Sequence, residues 1–136
     1  MKKLEKYADY AYALLRIMAG LMFSFHGAQK ILGLFAATQP PIGSQLWFAG
    51  IIELVGGLAV MLGFGTRVAA LICSGEMAVA YFQVHWKLQI GSQFFPIVNK
   101  GELAALYCFV FLFIACQGGV KWSLDKTGKA GARRPI

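Results

Sequence analysis

The chain has 136 residues, of which 58% are hydrophobic and 14% charged, with a net charge of +7. A soluble protein carries about 25% charged residues, so this composition excludes an ordinary soluble domain and places the chain in lipid as a single all-α integral membrane unit. The positive charge would point to nucleic acid in a soluble protein, but here it gathers at the ends of apolar segments, the pattern that orients membrane proteins, and nucleic-acid binding is excluded.

The first predicted span runs from about Tyr10 to Leu34 and contains LLRIMAGLMFSFHGAQKILGL. Its basic head is like that of a signal peptide, but the apolar stretch is too long and is interrupted by Arg16, so a retained span is expected. At 3.6 residues per turn Arg16, Gly20, Phe23, Gly27 and Lys30 fall on one stripe, with His26 and Gln29 beside it. That face must meet protein or trapped water, because such groups are expensive in lipid. Pro40, Pro41 and Gly43 then turn the chain.

The second span, about Gln45 to Leu62, is rich in small residues and carries Glu53 on the same side as its glycines. A short turn, Gly63 to Thr66, predicts a tight hairpin with the third span, about Arg67 to Trp86. Cys73, Glu76, Ala80 and Gln83 form a stripe along that span, and His85 lies near its end. The loop Lys87 to Asn99 follows, its Phe94, Phe95 and Pro96 suited to the membrane interface. A fourth span, about Lys100 to Gln117, starts with Glu102 and is stopped by Gly118 and Gly119. The division expected is a four-helix bundle over residues 1–125 and a basic tail over 126–136. Lys2, Lys3, Lys6, Arg67, Lys121, Lys126, Lys129, Arg133 and Arg134 fall on one side of the membrane and only Lys87 and Lys100 on the other, so both termini are expected in the cytoplasm.

Depth along each helix places Glu53 level with His26, Lys30 a turn above, Glu76 near the midplane and Arg16 in the inner half. The pairings expected are Glu53 with Lys30 or His26, and Arg16 with Glu76 as a structural ion pair. The polar residues can be read as ion pairs holding a bundle in register, or as a polar pocket in its outer half lined by His26, Gln29, Lys30, Glu53, Glu76, His85, Asn99 and Glu102. A haem held between His26 and His85 would need the two level, which they are not. Cys73, Cys108 and Cys116 sit in apolar runs with no metal-ligand or CxxC spacing, so no metal site is expected.

Taken together, LLRIMAGLMFSFHGAQKILG, ELVGGLAVMLGFGTRVAA, EMAVAYFQVHW and FFPIVNKGELAALYCFVFLFIACQGGVKWSLD resemble the DoxX family of small bacterial membrane proteins, from about Leu14 to Asp125. The resemblance rests on His26, Gln29, Lys30, Glu53, Glu76, His85, Asn99, Glu102 and Asp125; Lys100 departs from the glycine-rich loop usual before the fourth helix. It implies a four-helix protein of the bacterial inner membrane and a link to respiratory or redox chemistry, since relatives are associated with a terminal quinol oxidase, a thiosulfate:quinone oxidoreductase and oxidative-stress complexes. It supplies no catalytic assignment. The sequence holds no haem, flavin, iron–sulfur or dithiol motif, so electrons would pass to or from a partner redox enzyme, and quinone is the ligand the resemblance implies. Two other classes stay open: a non-enzymatic anchor or assembly partner of a redox complex, and a permease component that would need a homodimer.

Overall fold

A computed structural model describes residues 2–35 and 38–125; the basic tail expected over 126–136 lies outside the described residues. Four helices form the bundle: α1 (Ala8–Leu32), α2 (Gln45–Leu62), α3 (Thr66–Trp86) and α4 (Glu102–Gln117). The first three are long and apolar enough to cross a bilayer, whereas α4 is shorter. Its 16 residues span about 24 Å at the helical rise, against a hydrocarbon core of about 30 Å. The difference from the predicted start at Lys100 has a local cause. Asn99 Oδ1 accepts the Gly101 N–H at 2.7 Å and Lys100 takes φ +60, so the chain turns once between the helical turn Pro96–Asn99 and α4.

Helix α1 is the central element. Its buried residues Ala13, Arg16, Ala19, Gly20, Phe23, Ser24, Gly27 and Ala28 recur at helical spacing, the face on which the sequence places its polar and small residues. Gly33, at φ +68, ends the helix and returns its N–H to the Ala28 carbonyl. Against α2 the two backbones nearly touch: a Cβ on Gly20 would lie 2.6 Å from the Gly57 carbonyl oxygen, and one on Gly27 2.6 Å from that of Gly50. The glycines therefore serve folding of one chain, through close helix approach.

Ser44 caps α2 by accepting the Trp47 N–H. Within α2 the stretch Ile52–Gly56 widens into a π-helical turn, and α3 ends in another over Tyr81–Trp86. Such turns are uncommon and concentrate at functional sites. Helices α3 and α4 pack along their length, Ala70, Cys73 and Met77 meeting Ala104, Tyr107, Phe111 and Ile114 in one core with Phe23. The Phe23 ring lies 4.7 Å from Phe111 and 5.3 Å from Tyr107.

The end of the bundle near the chain termini is closed by a clasp that the hydropathy pattern does not announce. After α4 the chain folds back, Leu124 and Asp125 donating their N–H groups to the Leu62 and Gly63 carbonyls. Asp125 in turn accepts the N–H groups of Gly65 (2.7 Å) and Thr66 (2.9 Å), capping α3. Arg67 donates to the Ala115 and Cys116 carbonyls at the end of α4.

Arg16 lies inside this clasp, fully buried. The expected ion pair with Glu76 is not formed. One guanidinium nitrogen donates to the Val60 and Met61 carbonyls (2.6 and 2.8 Å), the other to those of Lys121 and Trp122 (3.1 and 2.6 Å). The physical reason is supply. The last turn of a helix leaves its carbonyls without intrahelical donors, and a planar fork of five N–H groups meets several at once. Glu76 lies with Lys30 at the other end, and Lys30 is 14 residues, about 21 Å of helix, from Arg16.

Candidate polar cavity between the helices

In the half of the bundle away from the chain termini, the four helices enclose a cavity of about 780 Å³. That is within the range of small-molecule sites, about 300–1,000 Å³. Most of its wall is apolar. Leu46, Phe48, Ile72 and Val79 line it, yet they are exposed on the flank of the bundle, so the cavity reaches the lipid-facing surface between α2 and α3. At its rim Gln45 Nε2 donates to Gln83 Oε1 at 2.5 Å, joining the start of α2 to the last turn of α3.

The polar wall is built from all four helices. Helix α1 contributes His26 and Lys30, the π-turn of α2 contributes Glu53, α3 contributes Glu76 and His85, and α4 contributes Tyr107. Lys30 Nζ donates to Glu53 Oε1 at 2.5 Å; this is one of the two pairings the sequence allows for Glu53, and the other, with His26, is not formed. Glu53 is 3% exposed, while the Lys30 side chain keeps 29% of its surface exposed. An ion pair at such depth depends on direct contact between its partners. His26 sits edge-on to Tyr107, ring centres 6.5 Å apart. His85 Nδ1 lies 3.3 Å from the Asn99 carbonyl oxygen.

Three buried polar atoms in this wall have no hydrogen-bond partner: Glu53 Oε2, Glu76 Oε2 and the Tyr107 hydroxyl. Buried polar groups are satisfied in the large majority of cases; of the five such atoms without a partner among the described residues, these three surround one cavity, and the other two, Arg16 Nε and Thr66 Oγ1, lie in the clasp at the other end. Two are acceptors when their carboxyls are ionised, and the third can donate or accept. The wall can therefore hold a polar head group or exchange a proton with it.

Of the eight residues proposed from sequence as pocket-lining, His26, Lys30, Glu53, Glu76 and His85 line the cavity, and Gln29, Asn99 and Glu102 do not. Gln29 is one residue, about 100° of helix, away from Lys30. Asn99 is buried in the loop, where its amide nitrogen donates to the Gln93 carbonyl at 2.9 Å and its backbone carbonyl meets His85, so it positions a cavity residue without facing the cavity. Glu102 is exposed in the first turn of α4. Tyr107, Gln45, Gln83 and Lys100 are additions. Gln83 shares a stripe with Glu76, a readable signal, but a tyrosine in the uniformly apolar α4 gives none. Among the described residues no three His, Cys, Asp or Glu side chains converge as a metal site requires, and all three cysteines are unbridged.

Residues 11–86 match the DoxX family model. A Haemophilus influenzae protein designated "Uncharacterized protein" is 43% identical, the match covering 92% of this chain and 96% of that one. "Inner membrane protein YqjF" of Escherichia coli is 30% identical over 93% of this chain and 95% of its own. "Putative oxidoreductase CatD" of Bacillus subtilis is 26% identical, with 90% of each chain covered. No solved structure matches the chain. With a family match over more than half its length, relatives that align almost end to end and apolar helices fit to span a bilayer, this chain belongs to the DoxX family of membrane proteins.

Proposed function

We propose that the protein is a multi-pass subunit of the bacterial inner membrane, both termini cytoplasmic, that binds a quinone or other small amphiphilic molecule in the cavity and serves a respiratory or redox system. The observation that carries this reading is the coincidence of the three orphaned polar atoms with a cavity that is otherwise apolar and reaches the lipid flank. Polar groups on one wall and an apolar path to the bilayer match an amphiphile with a small polar head. The designation of YqjF and the distribution of basic residues support the location, and the designation of CatD supports the redox connection.

The residues suit binding and proton handling. Lys30 and Tyr107 can donate to a carbonyl, and Glu53, Glu76 or a histidine can take a proton from a hydroxyl. A quinone would supply the two-electron chemistry when bound, and its redox partner would be a separate enzyme. The test is native mass spectrometry with quinone analysis on protein purified gently from its own membrane, comparing wild type with Glu53→Gln and Lys30→Met. A stoichiometric small molecule in wild type that is lost from folded variants is the expected result. Empty wild type accompanied by a co-purifying redox enzyme would overturn the binding reading in favour of an anchor. The buried Lys30–Glu53 pair is the observation that favours this second reading, because it also ties α1 to α2. An anchor would keep its function when the charges are exchanged by Lys30→Glu with Glu53→Lys, whereas a binding site would lose it.

A further inference from the structure

The cavity meets the two faces of the membrane unequally. At the end away from the chain termini its wall runs through Gln45, Gln83 and Lys100, which begin α2, close α3 and precede α4, and all three are exposed. Lys30, with 29% of its side-chain surface exposed, and half-buried His85 line the same end. Charged and amide groups of this kind sit in water or among head groups, not in hydrocarbon. Polar side chains continue from that rim down to Glu53 and Glu76, Glu53 lying about 12 Å of helix below Gln45. A cavity of about 780 Å³ with polar partners along one wall is roomy and polar enough to admit water. Toward the other face the lining stops at Phe23. Below it Ala19, Val60, Ala70, Phe111 and Ile114 pack with it into one core, none more than 7% exposed, and the Gly20–Gly57 contact closes the space between the α1 and α2 backbones. The helix segments that form this layer carry no carboxyl, imidazole or amine. Beneath it lies Arg16, its two terminal nitrogens held by four carbonyls. A guanidinium stays protonated, and its fixed charge repels a proton or cation that approaches it.

We propose that the cavity is a one-sided vestibule: it exchanges protons and small water-soluble solutes with the aqueous phase at the face away from the chain termini, and the apolar floor and the Arg16 clasp seal it from the other. Glu53 and Glu76, with His26, Lys30, His85 and Tyr107 around the same cavity, gain and lose protons through that face alone. With both termini cytoplasmic, that face is the outer one, and a proton surrendered by any bound head group leaves outward. Access of this kind does not depend on which molecule the cavity binds. It also sets the folded chain apart from a permease, because carrying a solute through would require Arg16 to give up its four carbonyls.

The experiment is cysteine labelling of the full chain in spheroplasts and in inverted membrane vesicles. Gly75 lines the cavity next to Glu76, and a Cβ there meets nothing within 4 Å, so Gly75→Cys places a thiol in the wall without crowding. Lys6→Cys, at an exposed position before α1, marks the face of the chain termini, and native Cys73, buried in the core, is the unreactive reference. The probe is a membrane-impermeant, sulfonate-bearing methanethiosulfonate, which reacts with the thiolate and so needs water at the thiol; labelled peptides are counted by mass spectrometry. Gly75→Cys is expected to react at least about tenfold faster from the face opposite Lys6→Cys than from the same face. The two reacting from opposite faces but with the faces exchanged would support the vestibule and reverse the orientation of the chain. Reaction of Gly75→Cys from the face of Lys6→Cys at an equal or greater rate would overturn the seal. Reaction from neither face would overturn the vestibule by showing the cavity closed to water. Should Gly75→Cys fail to fold, Ala80→Cys, which lines the cavity nearer its rim, takes its place with the same outcomes.

Discussion

Removing the two partners of the Lys30–Glu53 pair one at a time should have unequal costs, and the inequality tests the electrostatics of the cavity. At 2.5 Å the gross attraction is about 7 kcal/mol at an effective dielectric of about 20, but desolvation of both groups offsets much of it. Lys30→Met leaves a carboxylate on a residue only 3% exposed, with neither oxygen partnered. Breaking a buried pair in this way costs about 3–5 kcal/mol, and the lower end applies because the lysine side chain is 29% exposed and already screened. Glu53→Gln leaves an ammonium that can turn toward its exposed side and still donate to the amide oxygen, a loss of about 1 kcal/mol. The double variant Lys30→Met with Glu53→Gln should recover most of the loss in Lys30→Met. Reversible unfolding in mixed detergent, followed by helical circular dichroism, measures all three. A loss in Glu53→Gln equal to or larger than that in Lys30→Met, or no recovery in the double variant, would refute the argument.

Arg16→Lys should be nearly as damaging as Arg16→Ala, at least about 3 kcal/mol in the same unfolding assay, because a single ammonium cannot span four carbonyls on two segments; full stability in Arg16→Lys would argue against the clasp. Tyr107→Phe removes a buried hydroxyl with no partner, so the ligand-free protein should be unchanged or more stable by up to about 1 kcal/mol, while affinity for a bound head group falls; a clear loss of stability would show that the hydroxyl is already satisfied. Burial raises the proton affinity of Asp125, but the Thr66 and Gly65 backbone N–H groups that it accepts, the nearby Thr66 hydroxyl and the charge of Arg16 outweigh this and hold the carboxyl below its usual range. A carboxyl depressed in the folded state stabilises above its unfolded value, near pH 4, and that contribution is lost as the pH falls through the folded value. Wild type should thus lose stability in acid, and Asp125→Asn should be weaker at neutral pH and flatter below pH 4; parallel profiles would exclude Asp125 as the acid-sensitive group.

The elements readable in advance are those set by local periodicity. Apolar runs of bilayer length bounded by Pro40, Pro41, Gly63 and Gly118 determine the four helices, and the 3.6-residue repeat determines that Arg16, Phe23, Gly27 and Lys30 share the buried face of α1. That Glu53 must face a cation of α1 also follows, because lipid tolerates no lone charge. Which cation it meets depended on the rotation and spacing of α1 against α2, set by Gly20, Gly27 and Gly57 in backbone contact. Tertiary structure alone decided the rest. The two terminal nitrogens of Arg16 are met by main-chain carbonyls, and every residue type has one, so no sequence pattern marks Val60, Met61, Lys121 and Trp122 as its partners. The folding of the loop took Asn99 and Glu102 away from the cavity, and the packing of α4 on α1 brought Tyr107 to it. Periodicity fixes which side chains share a face, whereas the partner across that face is chosen by helix rotation, close packing and chain reversal, which involve residues distant in sequence.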